Sequence, residues 1–226
     1  PGAVAALNGA PVNTARIDLG GRDLRIRPDE GLLETQSGAS QFGRNRDDWG
    51  NWFGVDNSNP LYHFPFDERY LRRNPHVTSS DTRIQVIVPP NPKIYPAREP
   101  EKRYHSLNQA GRFTSACSSV FYRDELLFPA SDGAPREQHV FVCEPLHNLV
   151  HHALIAGKDS TFSGSRAQDE AQSEFFASED RWCRPVMART APDGTLWVAD
   201  MYRYMIEHPH WLPKDGQEEL MPFYRA

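Results

Sequence analysis

A succession of short apolar runs, each of strand length and most of them ended by turn residues, constrains this chain more than any other feature. The runs lie at 24–26, 32–34, 52–55, 83–88, 120–122, 139–142, 187–189 and 195–199. Runs this short do not build helices of ordinary length, but they suit strands whose side chains alternate between two faces. Two of the breaks carry a mechanism. Pro28-Asp29-Glu30-Gly31 and Pro192-Asp193-Gly194-Thr195 each combine a residue of preset φ, one that bonds its own backbone and one that accepts positive φ. Both predict hairpin turns. Helical signal is confined to 67–73, which starts acidic and ends basic, and to 214–221.

The 19 Pro and 15 Gly are scattered among these runs rather than gathered in one tract, as expected of many short elements joined by turns. The fold class expected is therefore all-β with few short helices. Leu196-Trp197-Val198-Ala199-Asp200 following Pro-Asp-Gly is a phrase that propeller blades repeat, and it narrows the expectation to a β-propeller. Blades of about 40–50 residues would let this chain hold only part of a ring. The Pro- and charge-rich stretch 74–112 and the segment 129–138 read as irregular.

Charge and hydropathy exclude two classes of partner. With 25 Lys and Arg against 30 Asp and Glu, the net charge is -5 and the pI about 6.0, so the basic footprint of a nucleic-acid binder is missing. Mean hydropathy is -0.66, and no long apolar run offers a membrane-spanning segment. Cys117, Cys143 and Cys183 match neither a zinc spacing nor a Cys-x-x-Cys pair. In an oxidising compartment Cys117 and Cys143, each beside a strand-like run, are the pair to bridge; otherwise all are buried free thiols.

Four blocks carry a family likeness. They are Leu19 to Pro28; Ser37 to Gly43 continuing through Asp48-Trp49-Gly50-Asn51 and Asp56 to Pro60; Val142-Cys143-Glu144-Pro145-Leu146-His147-Asn148-Leu149-Val150-His151; and Asp180-Arg181-Trp182-Cys183-Arg184-Pro185 with Asp200 to Arg203 and Ile206 to Pro209. Together they resemble the propeller domain of the PVC-type membrane-bound dehydrogenases, relatives of the soluble quinoprotein glucose/sorbosone dehydrogenases. Cys183 departs from the pattern, which has an aromatic beside the arginine. The resemblance implies a six-bladed propeller of which further sections precede Pro1 and follow Ala226. It also implies a periplasmic or extracytoplasmic location, with any membrane association through regions outside this chain. The activity implied is oxidation of a sugar or alcohol, with pyrroloquinoline quinone and Ca2+ as cofactors and electrons passing to a c-type haem domain. The chain has no Cys-x-x-Cys-His, so no covalent haem is expected on it.

Such chemistry needs a base for the hydroxyl proton, cations for the cofactor's carboxylates and oxygen ligands for calcium. Glu144, His147 and His151 are the candidate catalytic residues, set within one short span. Arg184, Arg203, Asn148 and Gln41 are candidates to hold the cofactor, with Arg203 also placed to pair with Asp200. Asp48, Asp56, Asn57 and Asn59 are candidate metal ligands, in a polar block punctuated by glycines. A plainer reading covers each set: Glu144 and Asn148 cap buried backbone, the arginines lock adjacent blades, and Asx turns explain the polar block. Trp49, Trp52 and Phe53 read as core rather than as a sugar platform. The alternative to an enzyme is a non-catalytic propeller that binds carbohydrate or protein.

Overall fold

The computed structural model describes residues 17–74, 76, 82–99, 110–130, 137–205 and 212–224. Among these residues the chain is mostly β, arranged as four antiparallel sheets, none of them closed. Strands β1 (Asp23–Arg27) and β2 (Leu32–Gln36) form the first hairpin. The predicted turn between them is a single 3-10 turn, Pro28–Glu30, ended by Gly31 at φ 62. Next comes a meander of β3 (Arg44–Arg46), β4 (Trp52–Gly54), β5 (Tyr62–Phe64) and β6 (Ile84–Gln85), each paired with its neighbour in sequence. A short helix α1 (Glu68–Leu71) lies between β5 and β6, with the Asp67 carboxylate accepting the Arg69 N–H at 3.0 Å, as an N-cap does.

A second meander follows. It runs β7 (Cys117–Phe121), β8 (Gln138–Glu144), β9 (Leu149–Lys158) and β10 (Thr161–Ser165), with β11 (Phe176–Ala177) pairing the start of β9. The last sheet is the hairpin of β12 (Pro185–Thr190) and β13 (Leu196–Asp200), turned at 192–195 as its sequence predicts. Gly194 sits at φ 82, and a Cβ there would lie 2.6 Å from the Asp124 carboxylate. Helix α2 (Lys214–Tyr224) runs past the predicted 214–221 and contains Pro222.

Burial on both faces makes the β7–β10 sheet the centre of the molecule. Period-two alternation sends Val140 and Val142 of β8 to one core with Phe53, Val55, Leu61 and Phe113, and Phe141 and Cys143 to the other with Tyr122 and Ala188. All four β8 residues are 0% exposed, and burying each such side chain contributes about 1.5–3 kcal/mol. The first core lies between the two meanders and the second between the central sheet and the β12–β13 hairpin. Backbone contacts weld the junction: the Ser118 N–H donates to the Phe42 carbonyl at 2.9 Å, and Asn45 Nδ2 donates to the Ser119 carbonyl.

Four expectations are corrected. The 74–112 stretch is not structureless where it is described, since it supplies β6 and the buried Val86, Ile87 and Ile94. Run 83–88 is nonetheless only a two-residue strand followed by a bridge at Ile87, because Pro89 ends its pairing capacity. Of the three aromatics expected in the core only Phe53 is there. Trp52 is partly exposed, with the Arg44 and Arg46 guanidiniums 5.1 and 5.6 Å from its ring, and Trp49 is exposed on the β3–β4 turn. Cys117 and Cys143 are direct register partners across β7 and β8, yet all three cysteines are unbridged. Burial pushes the Cys117 thiol up to about 12, leaving almost none of the thiolate that disulfide chemistry requires. Segments 131–136 and 206–211, including Ile206 to Pro209, lie outside the described residues.

Candidate functional site

The chemistry-bearing residues gather around the hairpin of β8 and β9. Its four-residue connection, 145–148, ends on Asn148 at φ 59, a left-handed conformation that asparagine tolerates better than most residues. Glu144, the last residue of β8, is 0% exposed. One of its oxygens accepts the Thr114 and Ser115 N–H groups at 3.0 and 2.9 Å; the other accepts the Ser115 hydroxyl and lies 3.4 Å from His147 Nδ1. The carboxylate thus binds the segment leading into β7 to the end of β8. His147 is buried on this same carboxylate.

Neighbouring residues on a strand face opposite ways, so His151 and His152 enter different cores. His151 Nδ1 lies 2.8 Å from Glu174 Oε2, and the His151 ring meets Phe113 edge-on at 5.3 Å. The Glu174 side chain is 0% exposed and also accepts from Arg166 Nη2 at 2.6 Å and the Tyr95 N–H at 2.9 Å. Burial pushes its carboxyl up, but bonds from His151 and Arg166 outweigh that and hold it below the ordinary carboxylate value.

His152 joins a second chain of polar groups. Its Nδ1 lies 3.0 Å from Glu170 Oε1 and its Nε2 2.9 Å from His139 Nδ1. With Glu170 ionised, His152 must donate from Nδ1, so its Nε2 accepts from His139. Phe128 stacks on His139 at 3.8 Å and 6°, and Phe141 on His152 at 5.0 Å and 19°. Burial pushes His152 down to about 4 and Glu170 up. His139, Glu170, Glu174 and Arg166 are not recognisable as site residues in the sequence. The two glutamates follow their histidines by 18 and 23 residues, and no local spacing announces such a pairing.

Arg184 joins the hairpin connection to the residues after β13. It is 3% exposed, and its guanidinium donates to the carbonyls of Pro145 at 3.0 Å, Leu146 at 3.3 Å, Arg203 at 3.1 Å and Tyr204 at 2.6 Å. The Arg184 N–H donates to Asp200 Oδ1 at 2.6 Å, which also takes the Tyr202 N–H at 2.8 Å. Asp200 therefore anchors backbone, where a pairing with Arg203 was expected; Arg203 is exposed and enters the junction through its carbonyl. Asn148 Nδ2 donates to the Cys183 carbonyl. The fourth candidate, Gln41, is exposed on the loop before β3, its N–H bound to the Val55 carbonyl at 2.9 Å.

The candidate metal ligands separate into two turns. Asp56 Oδ1 accepts the Ser58 and Asn59 N–H groups and Asn59 Nδ2 at 3.0–3.1 Å, while Oδ2 takes the Tyr62 hydroxyl at 3.0 Å. Asn59 Oδ1 accepts from Gln85 Nε2 at 3.2 Å, and the Asn57 carbonyl accepts the Ala116 N–H at 3.1 Å. Asp48 belongs to the β3–β4 turn and bonds Arg123 Nε at 2.5 Å. The buried anchor of that turn is Asp47, which accepts the N–H groups of Trp49 and Asn51. Both are Asx turns. Among the described residues no three His, Cys, Asp or Glu side chains converge as a metal ion would need.

The family model described as a domain of unknown function, DUF7133, matches residues 3–226. The chain belongs to the DUF7133 family. No curated protein and no solved structure matches it. Within the DUF7133 domain, no helix of the described residues is long and apolar enough to cross a membrane.

Among the described residues, the candidates Arg184, Asp56 and Asn59 are engaged by protein groups rather than gathered around one ligand point. An arginine that clamps a cofactor carboxylate must turn its forked donors toward that anion, and those of Arg184 are turned onto main-chain carbonyls. Calcium needs six or more oxygens facing one point, and those of Asp56 and Asn59 face protein donors instead. The arrangement does offer two buried histidine–carboxylate pairs, on opposite faces of one strand.

Proposed function

We propose that this DUF7133 domain is a non-catalytic binding platform made of propeller-type blades. Two features support the blade reading: consecutive strands form two up-and-down antiparallel meanders, β3–β6 and β7–β10, and these pack face to face over a shared core. The observation that carries the platform reading is the fate of Arg184. A buried guanidinium bound to four carbonyls from two connections ties those connections together, as a structural clasp does. Glu144 has the same character. Trp49, Trp182, Trp197 and Tyr202 are among the aromatics that this domain turns outward.

A second reading rests on the His151–Glu174 contact at 2.8 Å. A carboxylate that orients an imidazole is the arrangement of a general base, and the family likeness of the chain supports assigning it to quinone-dependent oxidation of a sugar or alcohol, with electrons delivered to a c-type haem domain outside the cytoplasm. One experiment separates the two. The intact protein is incubated with pyrroloquinoline quinone and Ca2+, then followed by thermal unfolding and by dye-linked oxidation of a sugar and alcohol panel. The platform reading expects an unchanged Tm and no turnover, since a ligand that binds only the native state raises Tm. Turnover that disappears in His151→Gln would overturn it and establish the dehydrogenase.

A further inference from the structure

Trp182 and Tyr202 stand out of the core, 48% and 60% exposed, and packing alone does not explain how firmly they are held. Their ring centroids lie 5.9 Å apart with planes inclined at 34°, and Tyr204 continues the patch 5.8 Å from Trp182. Polar tethers set both residues. The Trp182 N–H donates to Asp180 Oδ1 at 2.9 Å, and the Tyr202 hydroxyl to Asp180 Oδ2 at 3.1 Å. The Tyr202 N–H donates to Asp200 Oδ1 at 2.8 Å, so one carboxylate grips each end of this residue.

Tyr202 also adopts φ 44, a left-handed backbone that disfavours a bulky side chain and persists only where its surroundings impose it. Here they do. Arg184 holds the carbonyls of Arg203 and Tyr204 from beneath, and its own N–H shares Asp200 with Tyr202. The fold therefore maintains an unfavourable conformation to present an aromatic ring to solvent. Most of that ring stays in water, and a ligand that covered it would gain its apolar area.

We propose that the Trp182–Tyr202 pair is a carbohydrate-stacking subsite that receives the apolar C–H face of a pyranose ring. A sugar ring is apolar on its faces and hydroxylated at its edge, and this patch has the complementary layout. The two aromatic rings supply the stacking surface; the Asp180 carboxylate, bonded to the Tyr202 hydroxyl, stands at its rim to meet hydroxyls. Rings held in place before binding lose little freedom when the sugar arrives. The subsite rests on the platform reading and names its ligand class.

The test is isothermal titration of the intact protein with cellohexaose and with maltohexaose, two pyranose chains of different linkage geometry. At least one binds saturably, and Trp182→Ala and Tyr202→Ala each weaken that binding about tenfold, the size expected for one lost aromatic contact. Trp49→Ala, which removes an exposed tryptophan from another sheet, leaves affinity within about twofold by the same reasoning. Trp182→Phe and Tyr202→Phe keep a ring in place and retain most of the affinity, which separates stacking from any loss of folding. Absence of binding to both oligosaccharides, or wild-type affinity in Trp182→Ala, overturns the subsite. Quinone-dependent turnover sensitive to His151→Gln overturns the platform reading instead, and leaves the Trp182 result to be judged on its own.

Discussion

Acid should destabilise this domain through His152 well before its carboxylates are protonated. The imidazole is 1% exposed, lodged between Phe128 and Phe141 and tied to His139 and Glu170. Burial lowers its folded-state value from 6.5 to about 4. Between those limits the unfolded chain takes up a proton that the native state refuses, so stability falls as pH falls. No cost is present above pH 6.5, and the full cost is reached below about pH 4. At about 1.36 kcal/mol per pH unit the full loss is roughly 3 kcal/mol, a large share of the roughly 5–15 kcal/mol that holds a domain together. His63, also lowered by burial, adds in the same direction, whereas Glu170, raised by burial, opposes it. The assay is urea unfolding at pH 7, 5.5 and 4, on wild type and His152→Gln. The variant starts lower at pH 7, having lost the ring stack, but declines less steeply over the same range. Equal declines in the two proteins would refute the assignment of the acid sensitivity to His152.

Three further outcomes follow from the geometry. Glu144→Ala leaves the buried N–H groups of Thr114 and Ser115 without their acceptor and should cost about 3–5 kcal/mol in denaturant unfolding. Arg184→Lys should recover little of the stability lost in Arg184→Ala, because one ammonium cannot reproduce a fork that spans four carbonyls; equal stability of Arg184→Lys and wild type by thermal melting would contradict this. Gly164→Ala places a Cβ 2.8 Å from Ile87 Cγ1 and 3.1 Å from Ile155 Cδ1, and overpacking of this kind should cost about 1–3 kcal/mol by the same measurement.

Much of the architecture was legible along the chain because hairpins are local. The turns at 28–31 and 192–195 are specified by their own residues, and the runs flanking them became β1, β2, β12 and β13. Strand β9 was less legible. Its ten residues include His151, His152 and an Ala-Gly-Lys end, so it lacks both clean alternation and the β-branched density of a strand, and it is held by partners on both sides. Trp49 and Trp52 were misplaced for a related reason. Hydrophobicity alone does not say which face of a short strand meets the neighbouring sheet.

Residue type by itself determined that the chain is β-rich, carries a net charge of -5 and places His147, His151 and His152 within one short span. Only the tertiary structure decided what those polar groups do. Glu144 meets donors 29 and 30 residues away, and Arg184 meets carbonyls up to 39 residues away. A buried charge must find hydrogen-bonding partners wherever the fold brings them. That demand ties Glu144 and Arg184 to main-chain groups, while Trp182 and Tyr202 are held at the surface.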